Sequence, residues 1–358
     1  MSSGIRIGTR GSKLAVAQAN WVAMKLKEAT GVEAELVVIT TTGDAEGWQS
    51  RRRIGGKGDF VKEIQAALLG GEIDLALHSL KDLPAREPEK LCIAAIPPRA
   101  DPSDALVSLD GADLAGLPPG AVIGTSSLRR RAQILNFRPD LVIQEMRGNL
   151  DTRLRKLEEG ACHALIVAAA GMERLGMERR ITERIPFEIC LPAPGQGAIA
   201  VEAREVDRPF GPPPFDKLRV SPRLDGATPS VAEGPRRPDV SGLADDAQTL
   251  ALARAIDDPA AHAEARAERA LVEALGADCQ VPLGALARWA PGRLTLQAVV
   301  AAPDGKNLAR ARVEGDSNNP EQLGRKAAEQ LRAAGAEEIL RRLIPQAGCQ
   351  GRSAPDVS

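Results

Sequence analysis

From Ile5 onward, short apolar runs alternate with longer stretches in which apolar residues recur every three or four positions. Ile5 to Ile7 reads as the start of a strand, and Ser12 as the cap of a helix striped by Leu14, Ala17, Trp21 and Met24. Leu36 to Ile39 reads as the next strand. After T-T-G-D, the segment G-G-K-G-D-F leads into a helix with Phe60, Ile64, Ala67 and Leu68 on one face and Asp59 as its cap. A third apolar run starts at Ile73 and ends in the polar loop H-S-L-K-D-L-P. The β-α-β-α-β order predicts parallel pairing with right-handed crossovers.

A second unit of the same kind begins after P-P-R-A-D-P. Its strands are expected at Val122-Ile123, Leu141 to Gln144 and Ala164 to Ala168. Helices fit after T-S-S and from Asp151 to Glu159, the latter stopped by Gly160. A further strand, Ala198 to Glu202, can return to the first sheet and leave two chain crossings, near 98–102 and 192–198, as a hinge. Residues 205–244 are rich in proline and follow neither period, which marks a surface excursion or linker. Beyond it come a helix closed by Gly276 and strands Leu283 to Trp289, Leu294 to Ala301 and Leu308 to Val313, with P-D-G as a hairpin turn. A helix from Glu321 to Leu343 ends a small α+β unit. The expected organisation is α/β: domain 1 over 1–98 with 198–220, domain 2 over 102–192, the excursion over 205–244, domain 3 over 245–345, and a flexible tail over 346–358.

Composition narrows the functional classes. A chain of 358 residues exceeds one core, and 43% apolar with 27% charged residues is a globular mixture. The net charge of -1 gives no bulk attraction to nucleic acid or anionic membrane, and aromatics at 2% leave few platforms for stacking bases. No run approaches the roughly 20 apolar residues that span a bilayer. Five cysteines without C-x-x-C and three scattered histidines, His78, His163 and His262, suggest neither a disulfide framework nor a metal motif. The expectation is a cytoplasmic protein with no nucleic-acid, membrane or metal partner.

The chemistry gathers at strand ends, where ligands bind in open α/β sheets. Lys81 and Asp82 close the loop after the third strand, either as a surface pair or as an anion-binding cation beside a carboxylate that steadies positive charge. T-S-S-L-R-R-R, with Thr125, Ser127, Arg129 and Arg130, opens a helix whose N–H groups attract anions. R-G-N-L-D-T-R-L-R repeats the arrangement with Arg147, Gly148 and Arg153, and Arg10 follows the first strand. Arginines read planar oxyanions in pairs of bonds, so the set points to a small polycarboxylate. Neither GxxxxGK(S/T) nor GxGxxG is present to favour a nucleotide. Cys279, in a loop before a proline, is either an attachment point or an inert thiol, while Cys92, Cys162 and Cys190 read as packing residues. His78 is either a proton carrier or a structural donor at a strand end. The loop 44–58 is either a mobile cover or solvated chain.

Together I-G-T-R-G-S-K-L-A, G-G-K-G-D-F-V-K-E, H-S-L-K-D-L-P, G-T-S-S-L-R-R, R-G-N-L-D-T-R-L, L-P-A-P-G-Q-G-A and C-Q-V-P-L-G resemble the porphobilinogen deaminase (hydroxymethylbilane synthase) family, in its order, over residues 5–204 and 260–345. The resemblance implies two doubly wound lobes like those of periplasmic binding proteins plus a small α+β third domain. It implies a transferase of porphyrin, tetrapyrrole and heme biosynthesis that joins four porphobilinogens head to tail, releases ammonia at each addition and frees hydroxymethylbilane. The implied cofactor is dipyrromethane, linked covalently through Cys279 and serving as primer, and the implied protein is a monomer. By position, the resemblance assigns catalysis to Asp82, Lys81, Arg10, Arg147 and Arg153. It assigns cofactor contacts to Ser79, Lys81, Asp82, Thr125, Ser127, Arg129, Arg130 and Gly148. Substrate contacts fall to Arg10, Ser12, Arg147, Arg153, Arg174 and Gln196, and the cover loop to Lys57 and Phe60.

Three features depart from the family pattern: Ala277-Asp278 where Gly-Gly is usual, Asp59 before Phe60, and the length of the excursion after Glu205. The competing readings are a non-enzymatic small-anion-binding protein on two lobes and a degenerate homologue kept for partner binding.

Overall fold

The computed structural model describes residues 4–39, 61–206, 245–276 and 281–343. Lys57, Asp59, Phe60, Ala277, Asp278, Cys279 and Cys349, with the bulk of the proline-rich excursion and the tail, lie outside the described residues.

In the first lobe β1 (Ile5–Arg10), β2 (Ala34–Ile39), β3 (Leu75–Ser79) and β4 (Leu91–Ala95) join β10 (Ile199–Arg204) in one sheet, ordered β2-β1-β3-β10-β4. Helix α1 (Lys13–Thr30) starts where the Ser12 hydroxyl accepts from the Ala15 N–H, and stops at left-handed Gly31. Its Ala19, Val22 and Leu26 close one face of the sheet over Ile5, Ile7 and Leu77. Helix α2 (Lys62–Leu69) covers the other face with Ile64 and Leu68. The parallel pairing expected of the β-α-β-α-β run holds for β1 with β2 and β3, and the returning β10 runs antiparallel to β3 and β4. A period of two says which face a residue takes and nothing about strand direction.

The second lobe repeats the plan. β5 (Asp104–Ser108), β6 (Val122–Gly124), β7 (Val142–Gln144), β8 (Ala164–Ala168) and β9 (Glu183–Arg184) are ordered β7-β6-β8-β5-β9. β6 is parallel to β7 and β8, and β5 is antiparallel to β8 and β9. Helices α3 (Leu128–Phe137), α4 (Leu150–Glu158) and α5 (Ala169–Arg174) follow β6, β7 and β8.

Helix α6 (Asp246–Arg254) falls inside the sequence boundary expected for the third unit, yet its Leu250 and Ala253 join the core of the first lobe. An apolar stripe identifies a buried face but not the sheet that buries it. The third unit consists of α7 (Pro259–Ala274), the antiparallel strands β11 (Leu283–Ala290), β12 (Arg293–Ala301) and β13 (Leu308–Gly315), and α8 (Pro320–Ala333) with α9 (Ala336–Arg341). The single terminal helix expected from Glu321 to Leu343 is broken at Gly335, whose φ of 92° leaves the helical region. With few aromatics to fill space, α7 and α8 approach backbone to backbone: a Cβ on Gly324 would sit 2.4 Å from the Ala267 carbonyl oxygen. Leu286, Val299 and Ala301 on the other face of this sheet pack against Ala132 of α3 and Leu191, which docks the third unit on lobe 2.

The two crossings between lobes are tied together and to α7. A Cβ on Gly197 would lie 2.4 Å from the Ala100 carbonyl oxygen, so the crossings touch through their main chains. Arg99 donates to the Gln196 carbonyl at 2.9 Å and to both oxygens of Glu268 at 2.8 and 3.0 Å. Glu268 also accepts from Gly195 N–H at 2.6 Å and Ala287 N–H at 2.8 Å. Burial alone disfavours the Arg99 charge, but Glu268 and Glu264 more than offset it and raise its pKa.

Candidate functional site

Residues that follow β1 in lobe 1 meet residues that follow β7 and β8 in lobe 2. Lys13 of α1 reaches Asp151 of α4 at 3.3 Å, and Leu14 lies beside Gly171 of α5. In lobe 1 β3 ends at Ser79 and passes into a 3-10 turn over Leu80–Asp82. Leu80 is buried and its N–H donates to the Ala198 carbonyl, which anchors the turn and leaves Lys81 and Asp82 half-buried. Ser79 exchanges hydrogen bonds with Gln18 of α1 at 3.1 and 3.2 Å. Arg10 is half-buried at the end of β1. The Ser12 hydroxyl is engaged as the α1 cap.

Neighbouring strand residues point to opposite faces. His78 therefore turns away from Ser79 and is buried, with Nε2 3.0 Å from a Glu202 oxygen. Gln65 of α2 donates to both oxygens of that carboxylate. His78 thus sits inside the sheet-helix layer, not at the strand-end surface.

In lobe 2 the arginines divide into two kinds. Ser127 accepts from the Arg130 N–H and caps α3, while Thr125 accepts from the Ser127 N–H. That start turns the side chains of Arg129 and Arg130 inward onto Asp104. Arg129 Nη1 donates to Asp104 at 2.6 Å and to the Leu191 carbonyl at 2.7 Å. Arg130 donates to Asp104 through Nη2 at 2.8 Å and to the Ile166 carbonyl through Nη1 at 2.9 Å. Burial by itself raises the Asp104 carboxyl, but the two guanidiniums outweigh it and hold the group well below the usual carboxylate range. Cys190, expected as plain packing, donates its thiol to Asp104 at 3.3 Å; burial, then Asp104, pushes it up to about 12. Sequence reasoning missed Asp104. Its signal was an acid opening the apolar run D-A-L-V-S, in a chain with two adjacent arginines to neutralise.

Arg153 and Arg174 are different. Arg153 Nε donates to the carbonyl of Gly148, whose φ of 118° suits glycine, at 2.7 Å. Arg174 Nη2 donates to the Gly197 carbonyl at 2.7 Å. Neither forms an ion pair among the described residues. Burial pulls both down to about 10, and the charge of Arg130 adds to the effect on Arg153. Arg147 is exposed and paired with Glu145. Gln196, expected to contact substrate, is completely buried with its amide engaged. Half-buried guanidiniums short of negative charge have donors left for carboxylates, a donor set that suits dipyrromethane, which bears several. Among the described residues no group of three or more His, Cys, Asp or Glu could hold a metal, and no helix is long and apolar enough to cross a membrane.

Two facing α/β lobes with arginine-bearing strand ends and a small docked third unit define a two-lobed α/β fold. Residues 5–210 match the porphobilinogen deaminase dipyromethane cofactor binding domain, and residues 262–333 match the C-terminal domain of the same family. The chain is 45% identical to the porphobilinogen deaminase of Desulforudis audaxviator, over 96% of this chain and 99% of that one. It is 43% identical to the porphobilinogen deaminase of Brevibacillus brevis, over 95% and 97%. Among solved structures it is similar to immunogenic lipoprotein A of Vibrio vulnificus, with 17% identity, a TM-score of 0.34, and coverage of 56% of this chain and 87% of that one. The chain belongs to the porphobilinogen deaminase family and carries that family's domain for the dipyrromethane cofactor.

Proposed function

We propose that this chain condenses four porphobilinogens head to tail on a dipyrromethane primer bound through Cys279, releasing ammonia at each addition, and that water then cleaves the product from the primer as hydroxymethylbilane. The observation that carries the reading is the pair of half-buried guanidiniums, Arg153 and Arg174, without ion pairs among the described residues. A substrate with an acetate and a propionate supplies the missing charges. When bound, the dipyrromethane supplies the nucleophilic pyrrole carbon and fixes one end of the growing chain.

The protein's own residues do the rest. Asp82 holds a carboxylate at the end of β3, where it stabilises the positive charge that develops as ammonia leaves and accepts pyrrole N–H bonds. Lys81 on the same turn, with Arg10, Arg147, Arg153 and Arg174 from the facing edges, binds and orients side-chain carboxylates. Ser79, Thr125, Ser127 and Gly148 shape the strand ends on which cofactor and substrate rest. Arg129 and Arg130 contribute through the fixed architecture around Asp104. Lys57 and Phe60, outside the described residues, are assigned to the cover that excludes water. The reading includes a cytoplasmic monomer with porphobilinogen as its small-molecule partner.

Intact-mass measurement of purified protein tests this directly. The expected increment equals two porphobilinogens less two ammonias, and peptide mapping should place it on Cys279. An unmodified Cys279 after reconstitution with porphobilinogen or hydroxymethylbilane overturns the mechanism and leaves the anion-binding or degenerate readings.

A further inference from the structure

Gln196 lies on the crossing between the lobes and has no exposed surface. Its amide orientation is determined by its neighbours. Nε2 faces acceptors alone: the Pro102 carbonyl at 2.8 Å, the Ser103 carbonyl at 3.3 Å and Asp104 Oδ1 at 2.9 Å. Oε1 faces a donor, the Lys81 ammonium, at 3.4 Å. Only one amide orientation satisfies both ends. Asp104 is in turn held by Arg129 and Arg130. A hydrogen-bond path therefore runs from Lys81 in lobe 1, through Gln196 on the crossing, to Asp104 and the arginine pair in lobe 2.

We propose that Gln196, oriented by Asp104, is a positioning residue that holds the Lys81 ammonium in fixed relation to the arginines of lobe 2. A lysine is a compact charge on a flexible four-carbon stem, and its position has to be supplied by partners. The Gln196 backbone is itself immobilised by Arg99 and, one residue earlier, by Glu268 on Gly195. The acceptor offered to Lys81 is thus tied to both lobes and to the third unit. The inference rests on the deaminase reading above, because it assigns Lys81 a part in binding the substrate's carboxylates.

Two holoenzyme variants at equal cofactor loading test it. Gln196→Met keeps the length and removes both bonds. Its kcat should fall about 10- to 100-fold, as for a misplaced reacting group, with KM within about 3-fold of the parent. Gln196→Glu reproduces both bonds only when protonated, with its O–H on Asp104 and its C=O toward Lys81. Ionised, it sets a second carboxylate against Asp104. The charged and titratable groups around this position are Lys81, Asp104, Arg99 and Glu268, with Arg129, Arg130 and Cys190 beyond Asp104. Gln196→Glu should therefore turn over fastest at low pH and lose kcat as pH rises, a limb that the parent lacks. Parental kcat in both variants overturns the inference, as does a lowered kcat with the parental pH profile, since that would be a purely structural loss. A parent that takes up no cofactor sinks the functional reading and this inference with it. An active parent with indifferent variants sinks this inference alone.

Discussion

The pair Arg129 and Arg130 and the pair Arg153 and Arg174 lie in the same lobe, near the same strand ends, the first two buried and the second two half-buried. The first pair shares a buried carboxylate, Asp104. The second pair has carbonyl oxygens and no ion pair among the described residues. Depth of burial and possession of a counter-charge therefore change together between the two pairs. A paired guanidinium has its desolvation offset within the fold, whereas an unpaired one keeps that cost until an anion arrives. One pair builds the lobe and the other equips it.

The largest expected effect is on the paired side. Asp104→Asn leaves two buried guanidiniums without a counterion, and should cost about 3–5 kcal/mol in urea unfolding. A loss under about 1 kcal/mol would mean that the pairing contributes little and the contrast is false. The unpaired side should respond in the opposite sense. Arg153→Met should lower turnover by about 100-fold, the scale of losing one preorganised electrostatic contact. Its stability in urea should hold or rise, because a methionine of similar reach removes a half-buried charge that no ion pair among the described residues offsets. A variant that loses activity and stability together would place Arg153 with the structural pair.

Ligand binding sharpens the distinction at smaller magnitude. A soluble polycarboxylate at ten times its Kd should stabilise the parent by about 1.4 kcal/mol through mass action. In Arg153→Met the same concentration should do measurably less in a thermal-shift titration. Equal stabilisation of both proteins would direct the anion elsewhere.

Much of this contrast was legible in the residues and part of it was not. Caps at Ser12 and Ser127 and the strand-end positions of Asp82, Arg10 and Arg153 follow from local pattern, because caps and periods are local properties. The division of the arginines is not local. Arg129 and Arg130 look like anion ligands in T-S-S-L-R-R-R, and only the antiparallel insertion of β5 brings Asp104 beneath them. The same limit applies to β10, whose apolar run announced a strand but not its direction, and to α6, whose stripe did not name its sheet. Gln196 stands in a glycine-rich crossing that reads as a hinge, and only the family resemblance assigns it to substrate. Its burial accompanies the contact of Gly197 with Ala100 on the other crossing, a pairing remote in sequence that no local pattern relates.

The smallest effect is in the pH dependence, and it isolates the paired side. Asp104 ordinarily titrates near 3.8, and in the folded protein it is held below that value by Arg129 and Arg130 against the opposing effect of burial. A depressed carboxylate contributes stability that is complete above the unfolded value and lost as pH falls through the folded one. Cys190 is the converse: ordinarily near 9.0, it is pushed up to about 12, chiefly by burial. Its contribution is complete below about pH 9 and is lost as pH rises toward about 12. Between pH 5 and 8 neither group changes its proton count, so the stability difference between the parent and Asp104→Asn should be flat there. Below about pH 4 the difference should shrink, because the parent alone loses this carboxylate's contribution while all other acids titrate in both proteins. Urea midpoints of the two proteins, measured side by side from pH 3 to 8, give the answer. A difference that grows on acidification would show that Asp104 is not held as an anion by its two arginines.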